Sequence, residues 1–405
     1  MLPPLNVVRA GLRRTTETLA AELARPGGAT PPWSDLEWQL AAAAAAVHGV
    51  SPLLSSLSAW RHPPWQAFLA EQRAHVEHRH RRIETLLQGI DVGARASGIA
   101  IVALKGCALH ALGIYAAGER PMADIDLLVR EDDVAPAIGL LQELGYVESF
   151  AAWKHRVFKP ATGAPFAGLG EHRDTPVNIE LHTRIQERLP VTAVDITVRI
   201  RPPQPQPGLN PYPSPGALMN HLLLHAAGNL CNRSLRLLHL HDIALLSARL
   251  SARDWDVLWD EHADAPWYAL PPLLLAARYY GDVVPPDALA RLAVDCHPLL
   301  RMVSRRQTLT RVSSSELWLH ALHGMEWSRS LGELARCLRQ RIRPTPEANR
   351  ERADMVRTQL WLQQGPAWAG LSQRRRILAW LTRPVPRMDT MFAVRAALEP
   401  PLHAP

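Results

Sequence analysis

Lysine is nearly missing from this 405-residue chain: Lys105, Lys154 and Lys159 stand against 42 arginines. All three fall in one window of the middle segment, so they are the informative basic positions in a sequence where arginine is the default. Cysteine is also scarce. Cys107, Cys231, Cys296 and Cys337 lie far apart and form no Cys-x-x-Cys pair. That argues against a disulfide framework and a zinc ribbon, and suits a reducing cytoplasm. No stretch approaches the roughly eighteen uninterrupted apolar residues of a membrane-spanning helix. The opening "MLPPLNVVRAGLRR" has no basic region followed by an apolar core and a small-residue cleavage site, so no signal peptide is expected. There is no fixed-period repeat, which excludes a solenoid.

What is present fits a globular protein with a real core: 47% apolar and 20% charged residues. The length suggests roughly two or three domains. A net charge of +7 admits nucleic acid or another polyanion as partner. The basic residues are dispersed, however, with no long single-sign run, and an arginine-rich solvated surface accounts for them. Nucleic acid is therefore not the favoured partner.

Residues 1–97 read as a helical lead-in. "SDLEWQLAAAAAAVHGV" opens with Ser34 and has Glu37 three residues on, a capping-box pattern. The segment 63–96 has apolar residues at three- and four-residue intervals. His75, His78 and His80 lie in it among arginines, as expected of a polar helix face. The pattern changes at 98–200. "SGIAIVALKG" is a short β-branched run ended by Gly106, and "ADIDLLV" is the next strand. A helix with acids in its first turn follows, closed near Gly145. "YVESF" and "WKHRVFKP" read as further strands. In "TPVNIELHTRI", Val177, Ile179 and Leu181 alternate with Asn178, Glu180 and His182. Residues 201–216 are proline-rich and read as a connection, excluded from the interior of a sheet. From 217 to 405 the pattern is helical, with breaks at the paired prolines near 271, 285 and 344–346 and with tryptophans as helix-contact residues. The fold class expected is α+β: a small mixed sheet with flanking helices between two helical regions.

Asp124 and Asp126 raise the chemical question. Positions i and i+2 of a strand share a face, with Cα atoms roughly 6–7 Å apart. At an effective dielectric of about 20, two charges at that spacing repel by about 2–3 kcal/mol. A stable protein tolerates this if the acids are solvated, if one stays protonated, or if a cation sits between them. Glu180 lies on the polar face of a later strand, and Lys105-Gly106 ends an earlier one where it turns into a helix, a place for backbone amides to meet a phosphate. Three carboxylates beside such a turn suit Mg²⁺ carried on a nucleoside triphosphate, since magnesium takes hard oxygen ligands and phosphates. Two such ions can stabilise both the attacking and the leaving oxygen of an in-line displacement.

The order strand, glycine turn, helix, hydrophobic-Asp-hydrophobic-Asp-hydrophobic and a third acid on a later strand resembles the polymerase-β-like nucleotidyltransferase superfamily. The resemblance is closer to a bacterial branch of it. It is carried by Leu104-Lys105-Gly106, Arg120, Asp124-Ile125-Asp126-Leu127-Leu128-Val129, Gly145-Tyr146 and Glu180-Leu181-His182. The helical text with His221, His225 and Asp242 and the lead-in "VHGVSPLL" at 47–54 add to it. It covers roughly residues 40–250. It implies transfer of a nucleoside monophosphate from a triphosphate such as ATP to a hydroxyl or similar acceptor, with release of pyrophosphate. Asp124, Asp126 and Glu180 would be the metal ligands and catalytic acids for two Mg²⁺ ions. Lys105, Gly106 and Arg120 would meet the phosphates, and His182 the nucleotide or acceptor. The chain departs from the pattern where Cys107 follows Gly106, where Glu180 replaces the commoner aspartate and where Thr183 replaces an aromatic. The acceptor stays open among peptide, saccharide, RNA and protein. So does a second class of function, a nucleotide-binding scaffold of the same fold that has lost turnover and serves a peptide- or polysaccharide-modification system.

Other readings of Asp-x-Asp fit less well. A nucleotide-sugar glycosyltransferase needs a longer α/β region upstream, and a haloacid-dehalogenase phosphatase needs Thr or Val where Leu128 stands. His221, His225, His239 and His241 near Asp242 suggest zinc spacing, but no cysteine completes a set; histidines packed against the sheet are expected. Lys154 and Lys159 either grip a phosphate or protect an edge strand.

Overall fold

A computed structural model describes residues 3–163, 168–259, 265–319, 322–350, 353 and 385–399. Part of the expected C-terminal helical text, with Trp361, Trp368 and Trp380, lies outside the described residues. In chain order the elements are α1 (Leu5–Ala24), α2 (Asp35–His48), α3 (Ser51–Leu57), α4 (Pro63–Ala96), β1 (Ala100–Ala103), α5 (Gly106–Ala111), β2 (Asp124–Leu128), α6 (Val134–Glu143), β3 (Tyr146–Ala151), β4 (Arg156–Pro160), β5 (Asn178–His182), β6 (Gln186–Arg188), β7 (Ala193–Asp195), α7 (Thr197–Ile200), β8 (Gly208–Asn210), α8 (Pro215–Cys231) and α9 (Leu237–Ser247). Further helices follow, among them Leu270–Tyr280 and Met388–Leu398. The fold class is α+β, as the sequence suggests.

Local chemistry explains most of these boundaries. Ser34 and Glu37 form the capping box that starts α2, and Gly49 ends it in the left-handed conformation at φ 69°. Pro63 and Pro64 open α4, where their missing N–H groups cost nothing. Gly145, at φ 83°, lets the chain leave α6 and turn into β3.

The sheet has the order β3-β4-β5-β2-β1-β8. Strands β2 and β5 are parallel, with Asp124 opposite Asn178, Asp126 opposite Glu180 and Leu128 opposite His182. β1 and β2 are antiparallel, as are β4 and β5. The outermost strand comes from the proline-rich stretch: β8 pairs in parallel with β1 through Gly208, Leu209 and Asn210. The segment therefore does more than connect. An edge strand needs only one set of backbone partners, so flanking prolines are tolerated there as they are not in the interior.

Alternation along the strands divides the core. Ile101, Ile125, Leu127, Ile179 and Leu181 face one way and pack with Ile83 and Ile90 of α4 and Leu140 and Leu141 of α6. Each such side chain contributes about 1.5–3 kcal/mol when fully buried. Val102, Leu104 and Leu128 face the other way, into a larger core that joins α1, α2 and α3 to α8, α9 and Leu270–Tyr280. Asp124, Asp126, Glu180 and His182 share that second face, so the helical half closes over the polar residues of the sheet. The helix Met388–Leu398 lies on α2 and brings the far end of the described chain back to the same region. No single helix among the described residues is long and apolar enough to cross a membrane.

Candidate active site

The acids of β2 and β5 open into a cavity of about 390 Å³ between the sheet and α8 and α9. Register alone sets Glu180 beside Asp126 on one face. His182 Nε2 lies 3.0 Å from Asp126 Oδ1 and 3.6 Å from Glu180 Oε2, so one ring nitrogen serves both carboxylates. Lys105 Nζ reaches the same Asp126 oxygen at 2.8 Å. The ion pair is well enclosed, with Lys105 and Asp126 side chains 18% and 8% exposed.

Lys105 sits at the turn from β1 into α5 with φ 46°, a conformation that favours glycine. Holding a lysine there costs about 1–3 kcal/mol and needs outside support. Tyr212 supplies some of it: the Lys105 N–H donates to Tyr212 Oη at 3.1 Å, and that oxygen contacts His221 Nδ1 of α8 at 2.7 Å. Gly106 follows because a Cβ there would collide with Arg120 Nη1 and Met122 Sδ. Cys107 is buried and its thiol is pushed up to about 12, first by burial and then by Asp126. It is not a nucleophile near neutral pH.

The three carboxylates differ in their counter-charges. Burial opposes ionisation of Asp126, but Lys105 and His182 hold its carboxyl well below the usual range. Glu180 is likewise lowered against its own burial, chiefly by the neighbouring His182 ring. Asp124 has no hydrogen bond or ion pair among the described residues. Burial, Glu180 and Asp126 raise it to about 7. Burial alone would lower Lys105 and His182; the surrounding carboxylates raise both. The site thus holds two compensated carboxylates and one that lacks a cation.

Arg120 is placed differently from a free phosphate grip. Its Nε and Nη2 donate to Asp242 Oδ1 and Oδ2 at 2.9 and 2.7 Å, and Tyr115 Oη donates to Asp242 Oδ1 at 2.8 Å. This buried fork ties the loop before β2 to α9 and walls the cavity. Lys154 Nζ pairs with Glu187 Oε1 at 2.8 Å, while His225 Nδ1 stands 3.7 Å from the same oxygen.

Sequence reasoning missed several contributors besides Tyr212 and Glu187. His155 stands just before β4 with Nδ1 3.2 Å from Glu180 Oε2. The atom is buried and misaligned for a hydrogen bond. Its place between Lys154 and a strand that pairs with β5 was the available signal. Arg236 lines the cavity and has no ion-pair partner among the described residues. Ser314 and Asp389 line it from far along the chain, and no local pattern marks them.

The sequence matches the family described as "Uncharacterised nucleotidyltransferase" over residues 34–283. The chain belongs to this family. It is accordingly an enzyme of nucleotidyl transfer. Comparison with curated proteins and with solved structures gave no match. The matched span includes α2 and α3, the whole sheet, α8 and α9, so every element that carries the Asp124–Asp126–Glu180 cluster lies within it.

Proposed function

We propose that the chain moves a nucleoside monophosphate from a triphosphate to a hydroxyl acceptor, with Mg²⁺ as the metal. The observation that carries this reading is the register of β2 and β5, which sets Asp126 and Glu180 side by side two residues from Asp124, facing a cavity. The donor set fits a hard divalent cation. Asp124 and Asp126 offer carboxylate oxygens, and Asp124 is a half-buried carboxyl with no ion-pair partner among the described residues. Asp124, Asp126 and Glu180 would hold the metal, which when bound neutralises the triphosphate and polarises the α-phosphoryl group.

The remaining work falls to the chain itself. The acceptor oxygen forms a bond to the α-phosphorus as the bond from that phosphorus to the bridging oxygen breaks, and pyrophosphate leaves. Glu180, ionised at neutral pH, accepts the hydroxyl proton. Lys105, with its ammonium at the cavity wall, neutralises charge growing on the pyrophosphate. Gly106 lets Arg120 and Met122 pack against the turn that carries Lys105. Arg120, neutralised by Asp242, holds the cavity wall in place. His182 orients Asp126 and Glu180 and borders the acceptor side.

The test is incubation with labelled nucleoside triphosphates, Mg²⁺ and candidate acceptors (peptide, saccharide, RNA and protein fractions), reading pyrophosphate and transferred label. Asp126→Asn is expected to lower transfer by at least about 100-fold with the fold intact. A magnesium-dependent thermal shift with ATP or CTP but no pyrophosphate from any acceptor, and no dependence on Asp126, would replace this reading with that of a binding protein.

A further inference from the structure

His155, Glu180 and His182 form a cluster that shares Glu180 with the proposed magnesium site and adds two imidazoles which that site does not use. Their ligand atoms, His155 Nδ1, Glu180 Oε2 and His182 Nε2, all lie within 4.8 Å of one another. Two of the separations are 3.2 and 3.6 Å. A tetrahedral zinc with bonds of about 2.0–2.2 Å sets its ligand atoms about 3.3–3.6 Å apart, so the third side, at no more than 4.8 Å, closes to that length when the set is complete. The donors stand on neighbouring strands: Glu180 and His182 share a face of β5, and His155 immediately precedes β4, which pairs with β5. The Ala152 N–H donates to the His155 carbonyl at 2.8 Å and fixes that residue's backbone. His155 Nδ1 is a buried nitrogen that makes no hydrogen bond, which is what a ligand without its ion looks like.

We infer that His155, Glu180 and His182 bind a borderline divalent transition metal of the zinc class, at a position separate from the Asp124–Asp126 pair. Imidazole favours such metals, whereas carboxylate, phosphate and water favour magnesium. Two histidines and one glutamate leave a fourth position open, and all three residues line the cavity. A water or an acceptor hydroxyl fits there. Loading takes His182 Nε2 away from Asp126, which keeps Lys105 as its counter-ion. The inference goes beyond the transferase reading and stands on its own geometry.

The test uses the full chain freed of metals by chelation and titrated with Co²⁺ as a spectroscopic stand-in, then with Zn²⁺ and Mg²⁺ by calorimetry. One equivalent of Co²⁺ is expected to give intense visible d–d bands of a four-coordinate nitrogen-containing site, and Zn²⁺ to bind about 100-fold or more tighter than Mg²⁺. His155→Ala and His182→Ala are each expected to weaken Zn²⁺ by about tenfold or more, while Asp124→Asn changes it by less than about threefold. Circular dichroism confirms that each variant is folded, and His155→Asn substitutes for the alanine variant if that one is not. A pale spectrum of an all-oxygen site, or zinc affinity indifferent to His155, overturns the inference. The two readings fail separately. Transfer with Mg²⁺ but no cobalt bands removes this site and leaves the transferase; cobalt bands with no transfer do the reverse.

Discussion

Replacing Asp124 by asparagine is expected to stabilise the ligand-free protein while it removes a residue proposed to bind metal. The side chain changes little in size, so packing around β2 is preserved. What changes is charge. Asp124 lies on the same strand face as Asp126, roughly 6–7 Å away, and this contributes about 2–3 kcal/mol of repulsion at an effective dielectric of about 20. Glu180 stands one strand over and two residues along, at roughly 7–8 Å, and adds about 2 kcal/mol. The Lys105 ammonium returns an attraction of similar size to one of these, and most of it is directed at Asp126. The balance is about 2–3 kcal/mol against a charged Asp124, before the cost of its burial is counted. For a chain of this size, with about 2.1 cal/mol/K of unfolding entropy per residue, that corresponds to roughly 2–4 °C in melting temperature. The assay is thermal unfolding of wild type and Asp124→Asn at pH 8, metal-free and then with saturating Mg²⁺ and triphosphate. The variant melts higher without ligand, and the gap closes or reverses with ligand because only the wild type gains from the cation. A variant that melts at or below the wild type in the metal-free buffer refutes the charge argument.

The other expectations concern the supports of the site. Asp242→Asn and Arg120→Ala each leave one half of a buried fork without its partner and are expected to cost about 3–5 kcal/mol in chemical denaturation. The double variant should cost clearly less than the sum, and additive losses would mean that the pair does not act as a unit. Gly106→Ala drives a Cβ into Arg120 and Met122 and is expected to cost about 1–3 kcal/mol; unchanged stability would show that the tethered guanidinium gives way freely. His48, at the end of α2, accepts from the Leu237 N–H at 2.9 Å through Nδ1 and meets Ser315 Oγ at 2.7 Å through Nε2. Burial, with help from Arg236 and Arg387, lowers its pKa to about 3. The unfolded chain takes up this proton first, so the stabilisation is whole above about pH 6.5 and drains as pH falls from there towards 3. The ceiling is on the order of 4–5 kcal/mol. His48→Gln should be less stable at pH 7.5 and lose less between pH 7 and 5; parallel melting curves would exclude His48 as the sensor.

Much of the middle of the chain was legible because strand alternation is local. Ile125 and Leu127 against Asp124 and Asp126, and Ile179 and Leu181 against Glu180 and His182, declare two faces from period alone. The caps of α2 and the glycine after α6 were readable for the same reason: each acts within about four residues of itself. The strand of the proline-rich stretch was not, since β8 exists only because the free edge of β1 supplies its backbone partners.

The sequence by itself determined that three acids and one histidine, His182, would be available on strand faces beside a lysine-glycine turn. Only the tertiary structure decided which of them meet. Parallel pairing of β2 with β5 sets Asp126 beside Glu180, the β4–β5 pairing delivers His155, and α9 claims Arg120 through Asp242. Those choices depend on contacts between segments up to 122 residues apart. Their energy comes from pairing and burial that no single stretch of chain contains, and so no local pattern records them.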